Sequence, residues 1–298
     1  MSLKQLAIIG PTASGKSDLG INIAKESNAY ILSIDSLSIY KEIDIVAAKP
    51  SKEELREVKH FGIDEIYPNE HFSVEIFIRL YKEVVQKCQE DNKNLIIVGG
   101  TSFYLKSLID GLSPLPTIEP LTQEEVKEQL KNLTQVYDML MKKDAVYMQK
   151  IAPNDRYRIE KALLIYAASG LTPSEWFAKN PPQPVICDLP IYNIDVERDI
   201  LRQRIAKRTQ KMYDMGVIDE VSYLEQKYTR SPNAMKAIGI VEVLAYLDAK
   251  IDKEEMLSLI STHTAQLAKR QQTFNRSQFA NITHAKLEDL QSIILHRL

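Results

Sequence analysis

Leu6-Ala7-Ile8-Ile9-Gly10-Pro11-Thr12-Ala13-Ser14-Gly15-Lys16-Ser17 decides how this chain is read. Leu6–Ile9 is a short apolar run of the kind that forms a buried strand, and Asp18–Lys25 continues in a helical pattern. Between them, Gly10–Ser17 fits GxxxxGK[ST] without exception, in the strand–loop–helix setting the motif requires. Glycines let the backbone curl so that successive N–H groups point inward at phosphate oxygens. The helix that follows adds its positive N-terminal end. Lys16 offers a point charge, and Ser17 offers a hydroxyl for a magnesium ion. The implied ligand is a di- or triphosphate; the loop specifies neither the compound nor the reaction. A turn with a chance lysine is the bland alternative, and it leaves the setting unexplained.

Outward from this loop, Tyr30–Ile34 and Leu95–Val98 are two more apolar runs, and Ile191–Val196 is a fourth, much later. Helical patterns separate the early ones. The alternation predicts an α/β fold, a P-loop parallel sheet flanked by helices. In such sheets function collects at the carboxyl ends of strands. There the second run delivers Asp35-Ser36, and the third delivers Gly99-Gly100-Thr101. Asp35 reads as a metal-holding carboxylate, as a general base, or as a helix-capping aspartate. The third run ends without an acid, which speaks against an ordinary ATPase. Its glycines permit close approach of a ligand and Thr101 offers a hydroxyl, with a tight turn as the alternative.

Prolines cluster at Pro114, Pro116 and Pro120, and again at Pro181, Pro182, Pro184 and Pro190. Two such clusters predict two crossings between domains. Five helical patterns lie between them: Leu121–Leu133, Val136–Lys142, Ala145–Ile151, Asp155–Ala168 and Pro173–Ala178. The expectation is a catalytic domain of residues 1–116 and 185–298, with a small helical domain inserted at 117–184. After the fourth run the chain reads as almost wholly helical, ending in a long helix from Lys253 to Phe274. Trp176, Leu163, Ile165 and Tyr166 read as core.

The 298 residues carry a net charge of only −2, so any nucleic-acid face must be a local patch. Arg204 and Arg208 are neighbours on one face of the helical run Asp199–Tyr213. In the insert, Lys142, Lys143, Lys150, Arg156, Arg158 and Lys161 interleave with Tyr147 and Tyr157, a mixture suited to phosphate contact and base stacking. Lys269, Arg270 and Arg276 add a third basic stretch. For any one of these residues a solvated surface charge is the bland reading. Cys88 and Cys187 lack CxxC spacing and the five histidines lack metal-ligand spacing, so zinc is not expected. Met1-Ser2-Leu3-Lys4 opens no signal peptide, and no apolar run approaches the ~20 residues of a membrane helix. A cytoplasmic location is expected.

Together the segments resemble the tRNA dimethylallyltransferase (tRNA isopentenyltransferase) family. The resemblance rests on GPTASGKS at Gly10–Ser17, SIDSLSIYKEIDI at Ser33–Ile45, AKP at Ala48–Pro50, VGGTSFYLKSL at Val98–Leu108 and GLSPLP at Gly111–Pro116. It continues with APND and a basic helix at Ala152–Arg158, AIG at Ala237–Gly239 and QLAKRQ at Gln266–Gln271. Departures fall at Val46, Tyr157, Lys161, Ile240, Ala265 and Phe274.

The resemblance implies transfer of a dimethylallyl group from dimethylallyl diphosphate to the N6 amine of adenosine 37, beside the anticodon of tRNA. It implies Asp35 and Thr101 as catalytic residues, and Gly10 through Ser17 with Arg204 and Arg208 as the diphosphate site. It implies tRNA contacts from Asp35, Ser36, Leu37, Ser38, Thr101, Arg156, Tyr157, Arg158, Lys161, Lys269, Arg270 and Gln271, and Mg²⁺ on Ser17. The expected partner is the tRNA anticodon stem-loop, bound by a monomer that needs no other protein. A P-loop small-molecule kinase and an adenylate dimethylallyltransferase are the competing enzymes.

Overall fold

The computed structural model describes residues 3–297; Met1 and Ser2, which opened the reading of the N-terminus, lie outside the described residues. Among these, six strands form one parallel sheet: β1 (Gln5–Ile9), β2 (Ala29–Ser33), β3 (His60–Phe61), β4 (Asn94–Gly99), β5 (Ile191–Ile194) and β6 (Ile282–Ala285). Their spatial order is β3-β2-β4-β1-β5-β6. The inner strands are the apolar runs of the sequence, because a parallel sheet covered by helices buries both faces of each strand. Ala7, Ile8, Ile9, Leu32, Leu95 and Ile97 accordingly reach no solvent.

The two edge strands depart from expectation. β3 has two residues, and β6, Ile-Thr-His-Ala, is mostly half-buried. Neither is long or apolar enough to register as a run. β6 extends the sheet beyond β5, with Ile194 opposite Ala285. The chain's last part is therefore not wholly helical. A final helix, Leu287–Leu295, buries Leu290 and Ile294 in the same core as Leu19 and Ile23 of the helix that follows the phosphate loop.

Register aligns the functional loops. Ile9 lies opposite Gly99 and Ser33 opposite Val98, so the loops after β1, β2 and β4 leave the sheet side by side. A second core forms around the helices Val217–Tyr228, Ile240–Leu247 and Lys253–Gln278, and it includes Val46, Met212 and Ile260.

The chain divides into two compact units, Met1–Ile109 with Ile186–Leu298, and Asp110–Val185. Within the first, the Ile186 amide donates to the Leu108 carbonyl at 3.0 Å, so the chain leaves and re-enters at adjacent points. The second unit is helical: Pro120–Gln129, Leu133–Lys143, Ala145–Met148, Arg156–Ser169 and Pro173–Lys179. It has its own core, in which Val126, Leu130, Leu140, Met148, Ile159 and Leu163 are buried. Asp144 is buried there and accepts from the Ser174 amide and hydroxyl, both at 2.7 Å, which locks two helices together. Trp176 is only half-buried, a correction to its reading as core, because its indole N–H must reach the Pro114 carbonyl at 2.8 Å. Among the described residues no helix is long and apolar enough to cross a membrane.

Candidate active site

The phosphate loop curls at Ala13, with φ +62°, and at Gly15, with φ +91°. Gly15 begins the helix Lys16–Glu26 without a side-chain cap, so the first amides of that helix remain open to an anion. Inside the loop the Ser14 hydroxyl is buried with no hydrogen-bond partner. The Lys16 ammonium donates to the Pro11 carbonyl at 3.2 Å. Burial lowers its pKa to about 8; the Asp35 charge opposes that shift and the Arg208 charge adds to it.

Two arginines reach the loop from the helix Arg198–Asp214. Arg208 Nη1 donates to Thr12 Oγ1 at 3.2 Å, and Arg204 Nη1 to the Ser14 carbonyl at 3.3 Å. Burial lowers the Arg208 pKa, against the pull of Asp35. Two cations are thus held close together and poorly solvated, an arrangement that favours an incoming polyanion.

Asp35 serves two ends. Its Oδ1 accepts from the amides of Leu37 and Ser38, at 2.9 and 3.2 Å, which pins a turn; no helix starts at this point, so Asp35 is not a helix cap. Its Oδ2 has no hydrogen bond among the described residues. Thr101 ties the neighbouring loop to this one: its Oγ1 accepts from the Ser36 amide at 3.2 Å, and its own amide donates to Ile34 at 3.3 Å. Ser36 is exposed and Leu37 half-buried, while Ser38 is buried and its carbonyl accepts from the Asp64 amide. Ser38 thus shapes the turn and presents no side chain to solvent.

Gln271, expected among RNA contacts, spans the loops after β1 and β4. Its Oε1 accepts from the Thr12 amide at 2.8 Å, and its Nε2 donates to the Gly100 carbonyl at 3.1 Å. A Cβ on Gly100 would stand 2.4 Å from that Nε2, so a larger residue there would displace the Gln271 amide.

Thr12, Asp35, Thr101, Arg208, Arg270 and Gln271 line one cavity of about 510 Å³. Apolar side chains form much of the rest, Leu37, Val46, Ala47, Met212 and Ile260 among them, with Thr209, Lys236 and Thr264 beside them. No local pattern gathers this apolar wall, since its members are scattered along the chain; of them Leu37 was expected as a tRNA contact. Val46 had registered only as a departure. Lys269 does not join the cavity. It lines a separate groove with Arg202, Arg204 and Arg276.

In the helical unit, Arg156, Tyr157 and Arg158 are exposed and Lys161 is half-buried. Arg156 Nη1 donates to the Leu130 carbonyl at 3.0 Å, and Arg158 pairs with Asp155 at 2.5 Å. Lys161 sits 5.6 Å over the Tyr157 ring. Among the described residues no group of three His, Cys, Asp or Glu is placed to hold a metal. His60 contacts the Val58 carbonyl at 2.8 Å, a structural role.

Comparison with known proteins gives a consistent picture. A family model described as IPP transferase matches residues 38–278. The chain is 65% identical to the tRNA dimethylallyltransferase of Sulfurimonas denitrificans, over 99% of this chain and 100% of that protein. It is 55% identical to the tRNA dimethylallyltransferase of a Sulfurovum species, over 98% of each. Among solved structures, the tRNA isopentenylpyrophosphate transferase of Bacillus halodurans is similar at 29% identity and TM-score 0.72, covering 99% of this chain and 97% of that one. A eukaryotic dimethylallyltransferase acting on tRNA, at 24% identity and TM-score 0.83, shares the fold over 96% of this chain and 75% of that one.

Proposed function

From the chain's membership of the IPP transferase family of tRNA dimethylallyltransferases, we propose how its cavity performs the transfer of a dimethylallyl group to tRNA. The donor is dimethylallyl diphosphate and the acceptor is the N6 amine of adenosine 37, beside the anticodon. One observation carries this reading: Thr12 of the phosphate loop, the poorly solvated Arg208, a carboxylate with one oxygen unpaired and a set of apolar side chains line the same cavity, with Lys16 held just behind it in the loop. The turn Gly99-Gly100-Thr101 also stands where an ATPase would carry an acid.

The open amides of the helix Lys16–Glu26, Lys16, Arg204 and Arg208 hold the diphosphate. As the allylic carbon–oxygen bond breaks, the electron pair leaves with the diphosphate. These preorganised charges meet it in a poorly solvated site, where they act most strongly. The acceptor amine is a weak nucleophile because its lone pair is delocalised into the purine. As its bond to carbon forms, Asp35 Oδ2 takes the proton. The Asp35 Oδ1 bonds to Leu37 and Ser38 hold the carboxylate in place for this. Thr101, fixed against Ser36, orients the amine or the diphosphate. The base must leave its stack to enter, as other base-modifying enzymes require.

The unpartnered Ser14 hydroxyl and the exposed Ser17 at the head of the helix fit a diphosphate-bound magnesium ion. Ser17 would contribute its hydroxyl, and the ion would supply further charge to the leaving group. The helical unit grips the anticodon stem-loop through its exposed cations and Tyr157. The enzyme works as a monomer in the cytoplasm.

The test is incubation with labelled dimethylallyl diphosphate and total tRNA, followed by digestion. The reading predicts label on one modified adenosine beside the anticodon. Label elsewhere, or on free adenylate alone, contradicts it.

A further inference from the structure

The helix Arg198–Asp214 places Arg204, Arg208 and Met212 four residues apart, on one face. The first two reach the phosphate loop, and Met212 lies one further turn along, ~5.4 Å away. A donor whose diphosphate sits on Arg208 therefore lays its hydrocarbon tail along this face toward Met212. The walls there are Leu37, Val46, Ala47 and Ile260. Thr209, which also lines the cavity, is already engaged by Ser261 at 3.1 Å, and Thr264 and Lys236 line it too. The apolar side chains that gather around Met212 suit a hydrocarbon.

Resting on the function proposed above, we propose that Met212, backed by Val46, is the floor that restricts the donor to a single isoprene unit. Both side chains close on the backbone of Gly239. A Cβ on that glycine would lie 3.0 Å from Val46 Cγ1 and 3.6 Å from the Met212 terminal methyl, so no space is left behind them. Met212 is 7% exposed and Val46 5%.

The floor is also held rigidly on both sides. The Gly239 amide donates to Glu242 Oε2 at 2.6 Å, which fixes the turn beneath Met212. Glu220 accepts from the amides of Asp44, Ile45 and Val46, at 2.9, 2.8 and 3.0 Å, which fixes the loop that carries Val46. Neither side of the floor can give way without breaking these bonds. A second isoprene unit would have to displace packed core, and packed interiors resist such displacement.

The experiment offers purified parent, Met212→Ala and Val46→Ala equal amounts of dimethylallyl and geranyl diphosphate with tRNA, and reads the attached group by mass. The parent attaches dimethylallyl alone. Met212→Ala raises the geranyl-to-dimethylallyl ratio of kcat/KM by about 10–200-fold, the range typical of pocket-size discrimination. Val46→Ala shifts it in the same direction by less. If Met212→Ala does not fold, Met212→Val carries the same test. A parent that accepts geranyl diphosphate as readily as dimethylallyl diphosphate overturns the floor. So do folded, tRNA-binding variants that keep the parent's ratio. A parent that transfers neither group to tRNA refutes the functional reading itself, a separate outcome.

Discussion

In the α/β unit Lys16 and Arg208 turn inward onto a phosphate loop, where burial depresses the pKa of both, while Arg204 reaches the loop from an exposed position. In the helical unit Arg156 and Arg158 stand at the surface, beside a Tyr157 that is 69% exposed. The same side-chain chemistry is put to two uses. Charges that must stabilise a leaving group are desolvated and fixed before the substrate arrives. Charges that meet a polyanion need exposure, with internal partners weak enough to exchange. The Arg158–Asp155 bridge is such a partner, since exposed pairs contribute little and give way to phosphate readily.

The largest expected effect is at Asp35. Asp35→Ala should lower the transfer rate by ~10²–10⁴, the usual cost of losing a general base, with tRNA binding nearly unchanged. A variant within about threefold of the parent would show that the carboxylate only pins its turn, since losing a general base typically costs ~10²-fold or more. Lys16→Ala comes next. It should cost ~10²–10³ in transfer, because one preorganised charge facing the leaving group is removed, and dimethylallyl diphosphate binding should weaken with it. Unchanged affinity and rate would remove the phosphate loop from the mechanism.

Replacing residues 110–185 by a short linker breaks the comparison outright. The chain ends are adjacent at Leu108 and Ile186, so the α/β unit should still be stabilised by dimethylallyl diphosphate in a thermal-shift assay. Its tRNA affinity, and much of the salt dependence of that affinity, should be lost. Equal salt slopes would place the RNA face on the α/β unit.

The smallest effect is graded with pH. Lys16, with its pKa lowered to about 8, is charged below that pH and neutral above it. The diphosphate prefers the charged form, so its apparent affinity should fall as pH rises past 8, by at most about tenfold per unit for one proton. Lys16→Arg, always charged, should flatten that inflection. A profile identical in the two proteins would assign the titration elsewhere.

The four inner strands and the phosphate loop were legible because each is a continuous local signal: an apolar run, a fixed glycine–lysine spacing, a turn residue after a strand. β3 and β6 were not, being short edge strands with half-buried residues. Asp35 and Thr101 could be named from their places at strand ends. The apolar wall could not, because Val46, Met212, Gly239 and Ile260 meet only through tertiary packing. Gln271 was visible as part of a motif. Its bonds to Thr12 and Gly100 depend on where a long helix crosses the sheet, which no local pattern encodes.

A single-turnover titration against tRNA separates the saturating rate from the apparent affinity, and run on Asp35→Asn beside the double variant Arg156→Glu, Arg158→Glu it tests the division directly. The account predicts a crossed result: Asp35→Asn loses rate and keeps affinity, while the double variant keeps its saturating rate and loses affinity with a shallower salt dependence. If both proteins lose the same quantity, the separation of chemistry from grip is wrong.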